Sequence, residues 1–128
     1  MACPFFSPLV RLEFRNGGDP ARAPLGAIYA GTCEAAPGES IVPDDATLIE
    51  RCNFGYGRDS CPRFPQTSNI DAVRFTAKPD DGALTKALFI FERAYSPVAH
   101  GDAERTEDVL VRRQAQLFLE NYRAWKFA

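Results

Sequence analysis

Cysteine is the residue type in this sequence with the clearest potential for chemistry. The chain of 128 residues has four, Cys3, Cys33, Cys52 and Cys61, all in its first half. Four thiolates suit Zn²⁺ or an iron–sulfur cluster, because both take soft sulfur ligands in tetrahedral sets. Cys3 and Cys61 each precede a proline, and such rigid positions are suited to presenting a thiolate inward. We therefore predict that all four cysteines ligate one metal centre.

The spacing of the cysteines bears on which metal they bind. Between successive cysteines lie 29, 18 and 8 residues, whereas structural zinc sites usually contain close pairs separated by about two to four residues. A cubane cluster is larger than a single ion and accepts ligands from separated segments more readily. The sequence thus favours a [4Fe–4S] cofactor in an accessory or electron-transfer subunit of a larger redox assembly. The alternative is a Zn²⁺-stapled structural or interaction module without catalysis.

Two further interpretations of the cysteines remain open at this stage. Cysteine is among the residues most often buried, so the four could be unpaired thiols of an ordinary core. Disulfides are rare in reducing compartments, which makes them the less favoured alternative in a chain without an export signal.

Basic and aromatic residues alternate in the segment 51–64, where three arginines accompany several rings. This mixture can bind single-stranded nucleic acid by phosphate contact and stacking. The whole chain, however, has 15 basic and 17 acidic residues and a net charge of -2, so it lacks the basic surface of nucleic-acid-binding proteins. We expect Arg51, Arg58 and Arg63 to hydrogen-bond loop carbonyls or to pair with Glu50 and Asp59.

No catalytic arrangement can be named from the sequence. His100 is the only histidine and is predicted to lie in a loop, with no orienting partner in the sequence. We therefore favour a non-catalytic role, a protein partner or larger complex, and no identifiable small-molecule substrate. No apolar run approaches the roughly 20 residues of a membrane span, and the N-terminus lacks the pattern of a secretory signal, so we expect a cytoplasmic, soluble protein.

The elements that must position the cysteines differ between the two halves of the chain. Residues 1–65 are loop-rich and contain most of the proline and glycine. Within them, alternation predicts a strand over Val10–Phe14 with Val10, Leu12 and Phe14 inward, and a short strand over Ala27–Thr32. Asp44 is predicted to cap a short helix that places Cys52 on its buried face.

Residues 66–128 have clearer periodicity. Ala72–Ala77 and Ala87–Arg93 are predicted to form a hairpin around the turn signal Pro79–Gly82. Thr106–Lys126 is predicted to be a long helix capped by Thr106.

The apolar stripe of this helix comprises Val111, Ala115, Phe118, Tyr122 and Trp125, which at helical spacing indicates the face that covers the sheet. Together these elements predict an α+β fold in a single domain, 1–128. In it, a small antiparallel sheet formed by the hairpin and Val10–Phe14 carries the C-terminal helix on one face and the cysteine-bearing half on the other.

Overall fold

The structure is a computed structural model that describes residues 1–12, 23–36, 38–56, 58, 61–79 and 85–126. Its described elements are β1 (Phe6–Leu12), β2 (Ile28–Cys33), α1 (Asp45–Thr47) continued by a π-helical segment (Leu48–Asn53), β3 (Ala72–Pro79), β4 (Thr85–Arg93), β5 (Ser96–Asp102) and α2 (Val109–Lys126). Two antiparallel sheets and a C-terminal helix packed on them confirm the predicted α+β class. No helix in the described part of the chain is long and apolar enough to cross a membrane.

The larger sheet has three strands in the order β3-β4-β5. The predicted hairpin is confirmed, with Phe75 opposite Phe89 in the register of β3 and β4. The turn predicted over Pro79–Gly82 lies mostly outside the described residues. The third strand is β5, which sequence analysis treated as a loop. Its proline and glycine residues are atypical of a strand, but they are tolerated at the edge of a sheet, where fewer backbone hydrogen bonds are required.

The prediction that Val10–Phe14 joins this sheet is wrong. The strand begins earlier, at Phe6, and pairs only with β2 in a separate two-stranded sheet. A bulge between Pro8 and Val10 shifts the register there, so Val10 is 60% exposed instead of buried. A bulge adds one residue to a strand and disrupts its alternation locally. Leu12, by contrast, packs against the core, as predicted. The position predicted for Phe14 lies outside the described residues.

The short helix before Cys52 begins as predicted. The Asp44 carboxylate accepts a hydrogen bond of 2.8 Å from the Thr47 N–H, which satisfies one of the free donors at the helix start. The helix then widens into the π-helical segment, and Phe54 and Gly55 end it, the latter with φ of +79°. This positive φ is the conformation expected of a glycine that stops a helix.

Helix α2 packs on the larger sheet and ends at Lys126 as predicted, but it begins later than predicted and the predicted stripe is exposed at its end. Asp108 caps it in place of Thr106, because the Asp108 carboxylate accepts the Val111 N–H at 3.1 Å. Val111 and Ala115 are buried as predicted, whereas Trp125 is 69% exposed. The end of the stripe is therefore not covered by the residues that the structure describes.

Candidate metal centre

All four cysteines line one cavity, although they belong to four separate segments of the chain. The centre of a water molecule can occupy about 20 Å³ of the cavity. Once the radius of the water molecule is added, a compact void of this size has a radius of roughly 3 Å. This is the scale of a metal ion or a small inorganic cluster. The remaining walls are mostly apolar, with two arginines, and consist of Phe5, Ala35, Pro43, Thr47, Arg51, Arg63 and Phe64.

Cys3 is held against Cys52 by its backbone. The Cys3 N–H donates to the Cys52 carbonyl at 3.1 Å, and the adjacent residue Ala2 pairs with Val73 on the edge of β3. From the other side, Gln114 of α2 donates through Nε2 to the Cys3 carbonyl at 2.9 Å and to the Phe6 carbonyl at 2.8 Å. The helix, the larger sheet and the π-helical segment thus all fix the position of Cys3.

Cys33 is the last residue of β2. It stands opposite Phe6 in the β1–β2 register, which brings it close in space to the Cys3 turn. On its other edge the Cys33 N–H donates to the Ile41 carbonyl at 2.7 Å, and the Ile41 N–H returns a hydrogen bond of 3.1 Å. The backbone on both sides of Cys33 is therefore paired.

Asn53 joins the Cys52 segment to the Cys33 strand. It is almost fully buried, and its amide pairs with the backbone N–H and C=O of Tyr29 in β2, both at 2.9 Å. The same amide nitrogen donates to the Leu48 carbonyl at 2.8 Å. Asn53 thus takes the place of a neighbouring strand along β2 and sets how close Cys52 comes to Cys33.

Cys61 lies in a tight turn that places an aromatic ring beside the cavity. The Cys61 carbonyl accepts the Phe64 N–H at 3.1 Å, and the Phe64 ring meets Phe5 edge to face, with 5.5 Å between centroids. Both rings, Phe5 and Phe64, line the cavity.

The electrostatic environment keeps two of the thiols protonated at neutral pH when no metal is bound. Burial raises the pKa of Cys3 to about 12, and the other three cysteines add to the increase. Burial likewise raises the pKa of Cys52 to about 12, with further contributions from Cys33 and Cys61, while Arg63 opposes the increase. The mutual influence of the four groups reflects how close together the fold brings them.

The four cysteines share the cavity without forming a closed ligand set. All of them are free thiols, so the disulfide alternative finds no support in this structure. Within the described ranges, no three side chains of Cys, His, Asp or Glu are grouped so that they could hold a metal ion. The arrangement is therefore a set of reduced thiols around one cavity.

Other residues singled out from the sequence lie away from the cavity or beside it in a different role. His100 is exposed in β5, opposite Ile90, and does not line the cavity. Arg58 hydrogen-bonds loop carbonyls as predicted but pairs with Asp71. Gln114 and Asn53 were missed, because a lone amide in a helix or turn gives no sequence signal of its buried backbone partners.

Comparison of the chain with protein-family models, with curated proteins and with solved structures found no match.

Proposed function

We propose that this protein binds a [4Fe–4S] cluster through Cys3, Cys33, Cys52 and Cys61 and serves as an accessory or electron-transfer subunit of a larger redox assembly. The observation that carries the proposal is that four cysteines from four segments line one small cavity. Unpaired core thiols have no reason to converge, because sulfur–sulfur contact adds nothing that other apolar contacts would not supply.

The donor chemistry and the surroundings suit such a cofactor. Thiolates are the usual ligands of iron–sulfur clusters, and the cluster would supply one-electron transfer when bound. Binding must release the thiol protons, so it would be coupled to pH and to folding. Four thiolates around the cluster carry excess negative charge, and Arg51 and Arg63 at the cavity wall would offset it. Phe5 and Phe64 would restrict water.

Closing the ligand set requires rotation about the Cα–Cβ bonds of the cysteines, which moves sulfur between staggered positions without moving the backbone. A cubane cluster requires the four cysteine sulfurs to approach one another less closely than zinc does. In a zinc site the sulfurs lie about 2.3 Å from the ion and therefore about 3.8 Å from one another. The alternative remains a zinc-stapled structural or interaction module, which the same four thiolates would serve. The cysteine cavity is too narrow for an organic substrate, whose pockets measure about 300–1,000 Å³, so neither proposal places a substrate in it.

The test is an absorption spectrum and metal analysis of protein purified without oxygen. A brown protein with absorbance near about 400 nm and about four irons per chain supports the cluster. A colourless protein with about one zinc per chain supports the alternative. Protein that takes up neither metal, even after reconstitution with iron and sulfide or with zinc, refutes both and leaves a thiol core.

Cysteine variants then test the ligand assignment. Each Cys→Ser change is expected to lower metal content and melting temperature together, because metal-binding energy becomes folding energy. Ala35→Ser is the matched control, since it adds a hydroxyl to the same cavity wall without removing a thiol. Full metal retention in all four cysteine variants would contradict the assignment.

A further inference from the structure

The guanidinium of Arg58 connects the cysteine-bearing loop to the strands that support it. Arg58 lies between Cys52 and Cys61, and its side chain is 21% exposed. Its Nε donates to the Asp71 carboxylate, Nη2 to the Ser68 carbonyl, and Nη1 to the Gln66 carbonyl at 3.2 Å. Each nitrogen of the fork therefore has its own acceptor.

The same guanidinium lies over the ring of Phe64, with Cζ 5.3 Å from the ring centroid. Phe64 lines the cysteine cavity and closes the Cys61 turn through its N–H. An arginine over an aromatic face is attracted by the ring quadrupole, most strongly where water is excluded. Arg58 thus holds one wall of the cavity and, through it, the turn that carries Cys61.

The carboxylate of Asp71, which pairs with Arg58, is itself held in place. Asp71 is 4% exposed, and its second oxygen accepts the Ala94 N–H at 2.8 Å. Ala94 and Tyr95 form the turn between β4 and β5 with φ of +51° and +64°, a strained conformation for residues other than glycine.

The hydrogen bond that Asp71 accepts from Ala94 helps to hold this turn. A second contact joins the same parts of the molecule, because Tyr56 stacks on Tyr95 with 4.2 Å between ring centroids. The Tyr56 hydroxyl also donates to Glu92 at 2.8 Å. The loop that leads to Cys61 is therefore attached to the β4–β5 turn at two points.

We propose that Arg58 is a positioning residue for the candidate metal centre: it fixes the Cys61 turn beside the cavity by tying Phe64 to Asp71 and to the carbonyls of Gln66 and Ser68. This inference rests on the proposed function. It assigns a role to a residue that does not line the cysteine cavity. The role depends on the planar fork as well as on the charge, since the compact ammonium of lysine cannot span three separated acceptors and also lie flat over a ring.

The experiment compares Arg58→Gln and Arg58→Lys with the wild type in full-length protein stripped of metal. Arg112→Gln is the matched control, because Arg112 also donates twice to a backbone carbonyl, that of Thr106 at 2.7 and 3.2 Å, and does not line the cavity. Two quantities are measured. One is the affinity for Zn²⁺ alone, in competition with a chromophoric chelator, and the other is the rate at which iodoacetamide alkylates each cysteine.

We expect Arg58→Gln to weaken Zn²⁺ binding about 10- to 100-fold, as loss of outer-shell partners of metal ligands does. In metal-free protein, alkylation of Cys61 should become about tenfold faster, the factor that corresponds to losing one charge-assisted hydrogen bond. Cys52, at the other end of the loop, should keep its rate. With lysine at position 58, less than half of that loss in the logarithm of the Zn²⁺ affinity should be recovered. Arg112→Gln should change neither the affinity nor the alkylation rates.

The outcomes separate this inference from the proposed function. A wild type that binds no Zn²⁺, with faster Cys61 alkylation in Arg58→Gln, refutes the zinc alternative and retains the role of Arg58 in positioning the Cys61 turn; the cluster is tested separately by reconstitution with iron and sulfide. A wild type that binds metal, with Arg58→Gln indistinguishable from Arg112→Gln, refutes the positioning role alone. Wild-type behaviour of Arg58→Lys would show that charge without the fork suffices, and would overturn the inference as stated.

Discussion

Replacing Asn53 by alanine tests whether the junction between the Cys52 segment and β2 is as costly to break as its hydrogen bonds indicate. The Asn53 amide has three hydrogen bonds of 2.8–2.9 Å to backbone atoms of Tyr29 and Leu48. Asn53 is 1% exposed and Tyr29 is 5% exposed, so water cannot easily replace the lost partners. Alanine would leave the Tyr29 N–H and C=O buried and unpaired.

The expected loss follows from these orphaned groups. A buried backbone group left without its partner costs about 1–3 kcal/mol. Counting the two groups of Tyr29 and leaving out the Leu48 carbonyl, which belongs to a helical segment, we expect the free energy of unfolding to fall by about 3–4 kcal/mol. With a urea m-value of about 2 kcal/mol/M, the midpoint would move down by about 1.5–2 M.

The assay is urea unfolding of metal-free protein, followed by far-UV circular dichroism because Trp125 is too exposed to report on the core. Ser40→Ala is the control, since Ser40 donates only to the Glu34 carboxylate at the exposed surface, and its loss should cost less than about 0.5 kcal/mol. If Asn53→Ala lies within about 1 kcal/mol of the control with an unchanged m-value, the buried pairing with Tyr29 does not carry the energy assigned to it.

Three further predictions concern the rest of the fold. Burial alone would raise the pKa of Asp71, but the Ala94 N–H and an arginine partner outweigh it and lower that pKa. The stability that the lowered pKa provides is fully present above the unfolded pKa of about 3.9 and is lost as pH falls through the lowered folded value. Between pH 2 and 6, the free energy of unfolding of Asp71→Asn should therefore depend less steeply on pH than that of the wild type. Gly31→Ala would place a Cβ 1.9 Å from the Ser7 carbonyl oxygen, and the forced shift of β1 should cost about 2–3 kcal/mol in thermal or urea unfolding; a neutral result would show that the strands separate freely. Trp125→Ala should change stability by less than about 0.5 kcal/mol, because the ring is 69% exposed, and a larger loss would indicate that the ring is covered in solution.

The elements with strong local signals were predictable. The alternation in β3, the apolar run of the central strand β4, the Asp44 cap and the periodicity of α2 depend on neighbours a few residues away, and the structure confirms each of these elements. The failures have equally local causes. The bulge after Pro8 leaves Val10 exposed, and the edge strand β5 tolerates residues that would break a central strand.

The candidate site was predictable in its residue types and only partly in its surroundings. The four cysteines and the arginines of segment 51–63 were visible as a set, and the cavity contains all four thiols with Arg51 and Arg63. Gln114, which holds the Cys3 turn from 111 residues away in sequence, gave no signal. A polar residue in the buried stripe of a helix acquires its role only from the backbone that the fold places opposite it.

The sequence by itself determined the residue types that this protein has available: four cysteines, a balanced charge, and two halves of different regularity. Only the tertiary structure decided that the four cysteines line one cavity, that α2 and β3 fix Cys3 from two sides, and that Arg58 joins the Cys61 turn to the β4–β5 hairpin. Residue type and local periodicity are properties of short segments, whereas convergence depends on long-range pairing and packing, in which small register shifts change every neighbour.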